Sequence, residues 1–87
     1  MTRVLVVDDH PVFRYGVSML LQDQKDFEVC GEADEAQSAL AAFRRLNPHL
    51  VVTDITLPGM DGIELTKMMV SERPDVNVLI FSMHDES

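Results

Sequence analysis

Short apolar runs rich in β-branched residues, separated by segments of helical periodicity, constrain this chain more than any other feature. Residues 4–7 read Val-Leu-Val-Val, residues 50–53 Leu-Val-Val-Thr, and residues 76–81 Val-Asn-Val-Leu-Ile-Phe. A strand with one wet face alternates polar and apolar residues, whereas an unbroken apolar run suits a strand covered on both faces. Residues 11–22 open with Pro11, whose missing N–H is harmless at a first helical position, and Phe13, Val17, Leu20 and Leu21 form one predicted apolar stripe. Residues 27–30 read as a further strand that ends near Gly31. A second helix is expected from about Asp34, with Asp34 and Gln37 at capping-box spacing and Ala36, Leu40 and Phe43 on its buried face, and Asn47-Pro48 stops it. Residues 57–62, Leu-Pro-Gly-Met-Asp-Gly, are dense in turn formers and read as a loop, after which Asp61 and Glu64 open a third helix running to about Ser71.

Strands alternating with helices imply a mostly parallel α/β sheet with right-handed crossovers and helices on both faces. With 87 residues, 46% of them hydrophobic, and no repeat, linker or low-complexity tract, the chain suits one small domain. A domain of this size buries only about 60–65% of its unfolded surface, so its stability margin is thin. No apolar run approaches the roughly 18 residues of a membrane span, and the N-terminus lacks the apolar stretch of a signal peptide. The lone Cys30 has no intrachain partner for a disulfide, which is consistent with a cytoplasmic location. Fifteen acids against seven bases give a net charge of −8, which keeps the protein dissolved and opposes binding of this segment to nucleic acid.

In open parallel sheets, sites form at the carboxyl ends of strands where the strand order reverses. The residues that follow the first, third and fourth strands are Asp8 and Asp9, then Asp54, then Ser82. Three carboxylates gathered at one sheet edge repel one another, and a hard divalent cation with oxygen ligands is the natural remedy. Mg²⁺ takes one or two carboxylates and keeps its other positions for water or phosphate oxygens. Asp54 stands apart: it follows a buried strand and precedes a turn-rich loop, so its position is well fixed. A carboxylate attacking phosphorus gives an acyl phosphate, and phosphoryl transfer asks the protein mainly for positioning and charge neutralisation.

Plainer readings stand beside these. Asp9 suits a helix cap. Ser82 suits a strand-end hydroxyl, Cys30 a small buried hydrophobe, Tyr15 a half-exposed helix residue, and Met68 and Met69 a helix surface and core pair. His10 lies next to the two acids but is not counted as a ligand, because Mg²⁺ prefers oxygen and no zinc spacing is present.

Three blocks in order, Val6-Val7-Asp8-Asp9-His10-Pro11, the stretch of residues 51–62 around Asp54, and Leu79-Ile80-Phe81-Ser82-Met83, resemble the receiver domain of two-component response regulators. The resemblance spans the whole chain. The Asp8-Asp9-His10-Pro11 opening and the Ser82-Met83-His84-Asp85-Glu86 ending are similar to the NarL/FixJ (LuxR-type) subclass. The resemblance implies a flavodoxin-like (CheY-like) doubly wound parallel sheet, here truncated after the fourth strand, in the order 2-1-3-4. It implies that a histidine kinase or a small phosphodonor phosphorylates Asp54. It implies Mg²⁺ held by Asp9, Asp54 and the backbone carbonyl of Thr56, with Asp8 acting through a metal-bound water. Ser82 would be the switch hydroxyl, and Thr56 and His84 would tune loss of the phosphoryl group. The output would be transcriptional, through a DNA-binding domain absent from this chain. Such a protein is a phospho-acceptor that takes part in its own phosphorylation and dephosphorylation, not an enzyme for other substrates.

The family's fifth strand, its last two helices and the lysine after that strand have no counterpart among these residues. Lys25 precedes the second strand and Lys67 lies inside the third helix. The chain is therefore expected to be an incomplete receiver domain over residues 1–87, weakly phosphorylated, with an apolar fourth strand exposed at the sheet edge. Such an edge invites pairing, and a homodimer through or near it is expected. A truncated, phosphorylation-deficient dimerising module is the alternative. A haloacid-dehalogenase-type phosphatase would need a second Asp two residues after the nucleophile, where Thr56 stands.

Overall fold

Seven elements, arranged as the apolar runs require, follow one another in the computed structural model, which describes residues 1–82. They are β1 (Thr2–Val7), α1 (Pro11–Gln22), β2 (Phe27–Ala33), α2 (Ala36–Leu46), β3 (Leu50–Asp54), α3 (Gly62–Glu72) and β4 (Asn77–Phe81). The strands form one parallel sheet in the order β2-β1-β3-β4, as expected. The chain steps from β1 to β2 on one side and then crosses to β3 on the other, so the order reverses between β1 and β3.

Side chains of a strand point alternately to the two faces. Leu5, Val7 and Val51 join a core with Ala36, Ala39, Leu40 and Phe43 of α2 and Leu65 and Met69 of α3. Val4, Val6 and Val52 face the other way, against Val17 and Leu21 of α1. All four residues from Val4 to Val7 are fully buried. At about 1.5–3 kcal/mol for each buried aliphatic side chain, this one strand contributes a gross stabilisation on the order of 10 kcal/mol, as large as a typical domain's net stability.

Several boundaries differ from the sequence expectation. β2 runs past Gly31 to Ala33, because its register against β1 shifts: Val4 pairs with Val29 and Leu5 with Gly31. Cys30 is the extra residue of this bulge and is half-buried instead of buried. α2 begins at Ala36 with Glu35 as its N-cap and no side-chain cap, so Asp34 and Gln37 form no capping box. Asp34 instead accepts a hydrogen bond from the Ser38 hydroxyl at 3.3 Å. Asn47, at φ 50°, ends that helix in the left-handed conformation that Asn tolerates. Leu20 is 70% exposed, so the buried stripe of α1 narrows to Phe13, Val17 and Leu21. Tyr15 is exposed, Met68 lies at the surface of α3 and Met69 is buried. Among the described residues, no helix is long and apolar enough to cross a membrane.

The loop between β3 and α3 folds back on the strand end. The Gly62 N–H donates to the Ile55 carbonyl at 2.6 Å, and Asp61 caps α3 by accepting from the Glu64 N–H at 2.8 Å. A Cβ on Gly62 would lie 2.3 Å from the Asp54 carbonyl oxygen and 3.0 Å from the Ile55 Cα. Both neighbours are backbone and cannot rotate away, so only glycine fits. On the same face, α2 and α3 are joined at the surface by Arg44, whose Nε donates to Glu72 Oε1 at 3.0 Å. That hydrogen bond and the adjacent positive charge hold the Glu72 carboxyl below its ordinary range.

Two outcomes follow from these contacts. Gly62→Ala is expected to destabilise the domain by about 1–3 kcal/mol and to shift the Asp54 backbone resonances, read by urea unfolding and amide chemical shifts. Because Glu72 binds protons less readily when folded, its contribution is present above its ordinary value of 4.5 and fades as pH falls through the lowered one. Glu72→Gln should therefore flatten that part of the acid limb of stability, with a small amplitude because the pair is exposed.

Candidate functional site

Register decides what meets at the carboxyl edge of the sheet. Val7 of β1 pairs with Thr53 of β3, so Asp8 and Asp54 leave the ladder side by side. The Asp8 N–H donates to the Ala33 carbonyl at 3.0 Å, which extends the β1–β2 ladder by one residue and fixes the Asp8 backbone. Asp54 pairs with Phe81 of β4, and the Ile55 N–H donates to the Phe81 carbonyl at 2.8 Å. Ser82 thus follows the residue paired with Asp54, and it is exposed. His84 lies outside the described residues.

Asp8 is 0% and Asp54 2% exposed, whereas Asp9 is exposed. One ligand atom from each of Asp8, Asp9, His10 and Asp54 falls within 4.8 Å of all the others. The three acids singled out in the sequence are therefore together. Thr56 is exposed, and its backbone N–H donates to Asp54 Oδ1 at 3.2 Å, which restrains rotation of that carboxylate. Neither Asp8 nor Asp9 caps α1: the N-cap is His10, and its side chain makes no cap hydrogen bond.

The imidazole set aside in the sequence reading belongs to the cluster. His10 Nδ1 lies 3.0 Å from Asp8 Oδ1, 3.1 Å from Asp9 Oδ1 and 3.9 Å from Asp54 Oδ2. The hydrogen bond with Asp8, then the charge of Asp9, raises the His10 pKa above its ordinary value. Its sequence signal was its place directly after two acids at a strand end. Arg14 gave a fainter signal, four residues further on, at the start of the helix. Its Nη1 donates to the Asp8 carbonyl at 2.7 Å and its Nε to Glu32 at 3.1 Å, tying α1 to the ends of β1 and β2. The second carboxylate oxygen of Asp8, Oδ2, is buried and has no hydrogen-bond partner among the described residues. A buried charged oxygen left in that way is costly, and an ion or another donor would relieve it. Together the carboxylates of Asp8, Asp9 and Asp54 form a cluster that could hold a metal ion.

Comparison with known proteins agrees with this geometry. The family described as the response regulator receiver domain matches residues 4–87. The response regulator GacA of Pseudomonas viridiflava is 37% identical over 86 residues, covering 99% of this chain and 40% of that protein. The crystal structure of a LuxR-family two-component response regulator from Aurantimonas sp. SI85-9A1 superposes with a TM-score of 0.91 at 38% identity, over 98% of this chain and 61% of that one. The isolated receiver domain of RcsB from Salmonella enterica serovar Typhimurium, determined with the phosphomimetic BeF3⁻, gives 0.88 at 26% identity, over 98% of this chain and 64% of that one. The chain spans 36% and 40% of the length of two curated relatives, DegU and GacA. It belongs to the response regulator receiver domain family, as a receiver of the two-component type with LuxR-family structural neighbours.

Proposed function

We propose that Asp54 accepts a phosphoryl group from a histidine kinase or a small phosphodonor, with Mg²⁺ bound at the acidic edge. The observation that carries this reading is the convergence of Asp8, Asp9 and Asp54 within 4.8 Å at the ends of β1 and β3, with Asp54 almost wholly buried. The BeF3⁻ used with the RcsB receiver supports it by similarity. The donor set fits the ion: carboxylate oxygens suit a hard divalent cation, and Asp8 Oδ2, unpartnered among the described residues, would be satisfied by the ion or by a water bound to it. Asp9, Asp54 and the Thr56 carbonyl would hold Mg²⁺ directly, and Asp8 through a water. When bound, the ion neutralises charge on the phosphoryl oxygens.

The chain's own residues do the rest. An Asp54 carboxylate oxygen forms the new bond to phosphorus while the donor's P–N or P–O bond breaks and its electron pair leaves with the donor. The Thr56 N–H holds the carboxylate in one orientation for in-line attack. Burial of Asp54 limits water at the acyl phosphate. Ser82 supplies the switch hydroxyl, and Thr56 and His84 set how fast the group is lost. The chain acts as a signalling module in the cytoplasm, as the receiver part, residues 1–87, of a longer regulator whose output domain controls transcription; its 36–40% coverage of those two relatives supports that placement.

A second reading concerns the 87-residue chain itself. Among the described residues β4 pairs with β3 alone, and Leu79 and Ile80 are 58% and 36% exposed. We propose that a second copy covers this edge, in a two-fold dimer.

Treatment with acetyl phosphate and Mg²⁺ is expected to add one phosphoryl mass, read by intact-protein mass spectrometry. Asp54→Asn or chelation of Mg²⁺ should abolish the gain, and a gain that persists in Asp54→Asn would overturn the assignment. Sedimentation velocity is expected to show concentration-dependent dimers of the 87-residue chain that Leu79→Lys dissociates. A monomer at every concentration would mean that the edge is covered by following residues of a longer chain and not by a second copy.

A further inference from the structure

We propose that His10 is a fourth protein ligand of the acidic edge and gives it a selective affinity for imidazole-seeking divalent ions such as Zn²⁺. The inference rests on the reading of that edge as a cation site and adds a competitor to it. His10 Nδ1 faces oxygens of three different acids, at 3.0, 3.1 and 3.9 Å. One ring nitrogen carries at most one hydrogen, so a hydrogen bond to Asp8 leaves the other two approaches unused. A single ion among these groups would use all of them. In a tetrahedral Zn²⁺ site with bonds of about 2.1 Å, ligand atoms stand about 3.4 Å apart; the three separations from His10 Nδ1 lie on either side of that value, and all four ligand atoms fall within 4.8 Å of one another, so the carboxylates need to draw in only modestly around an ion.

The local backbone favours the same role. His10 is the N-cap of α1, with an extended backbone at φ −101° and ψ 103°. Its own N–H donates to Asp8 Oδ1 at 3.2 Å, and Pro11 follows it with a fixed φ, so the imidazole is carried on a restrained residue. The ring does not cap the helix, which leaves it available as a ligand. His10 touches Oδ1 of the Asp8 carboxylate, and the other oxygen of that group, Oδ2, has no partner among the described residues, so an ion held beside His10 could draw on this carboxylate as well.

Donor chemistry sets the selectivity. Mg²⁺ prefers oxygen and keeps its waters, and so makes little use of an imidazole. Zn²⁺ binds imidazole and carboxylate together. A closed tetrahedral site has no open position. Zn²⁺ held by four side chains would therefore occupy the acids without offering a place to a phosphoryl oxygen, and would oppose Mg²⁺ instead of replacing it.

The test is calorimetric titration of the 87-residue chain with ZnCl₂ and, separately, MgCl₂, for wild type, His10→Ala, His10→Asn and Asp54→Asn. Losing even a group that only supports a metal ligand weakens binding about 10- to 100-fold, so both His10 variants are expected to weaken Zn²⁺ by at least about tenfold. Mg²⁺ affinity should change much less than Zn²⁺ affinity in both. His10→Asn keeps a polar side chain without an imidazole, and retained Mg²⁺ binding reports an intact fold. In the wild type, Zn²⁺ should also move the His10 ring nitrogen resonances. Zn²⁺ affinity unchanged by His10→Ala, or Zn²⁺ and Mg²⁺ weakened equally, overturns the proposal. If Mg²⁺ binding still depends on Asp54 in that case, the cation-site reading survives and only the role of His10 falls. If neither ion's binding responds to Asp54→Asn, both readings fail.

Discussion

The parallel pairing of β1 with β3 is the constraint on which everything else in this molecule depends. Val4 to Val7 are buried on both faces, and each from Val4 onward is matched in register to a residue from Leu50 to Thr53. Parallel strands in register end together, so the residues that follow, Asp8 and Asp54, must emerge at the same edge. The apolar burial along the strands offsets the cost of enclosing two carboxylates at their ends. A slip of one residue would turn Leu5 and Val7 toward α1, Val4 and Val6 toward α2, and pull the two aspartates out of step.

Around that edge, the protein uses backbone groups to place charges and leaves the charges themselves largely unpaired. The Asp8 backbone is held at both polar atoms, its N–H by Ala33 and its carbonyl by Arg14. The Asp54 segment is held by Phe81 from the neighbouring strand and by the Gly62 turn beneath it. Yet among the described residues the Asp8 and Asp54 carboxylates receive only His10 and the Thr56 and His10 backbone N–H groups, and Asp8 Oδ2 receives none of them. A structure optimised only for stability would pair these oxygens. Rigid placement with unmet charge is what a cation site requires.

The two faces of the sheet are unequally covered. Among the described residues, the core beneath α2 and α3 contains thirteen buried residues, while the one beneath α1 contains three. Val12, Met19 and Leu20 of α1 and Leu79 of β4 remain exposed on the thinner side, beside the contact of Phe13 with Phe81. This exposed surface and the acidic edge share β4, whose last residue pairs with Asp54.

Much of this was legible in the chain itself. Unbroken apolar runs dictate doubly covered strands, helical periodicity between them dictates crossovers, and the two together dictate a parallel sheet whose strand ends carry Asp8, Asp9, Asp54 and Ser82. These are short-range patterns, governed by period and turn chemistry, and they are written locally. The extra residue at Cys30 was not, because a bulge exists only relative to a partner strand. The exposure of Leu20 was not, because it depends on how far α1 is covered. The membership of His10 in the acidic cluster and the hold of Arg14 on Asp8 were likewise decided only in three dimensions. A side chain at the start of a helix can turn several ways, and only the packed ends of β1, β2 and β3 determine what lies within its reach.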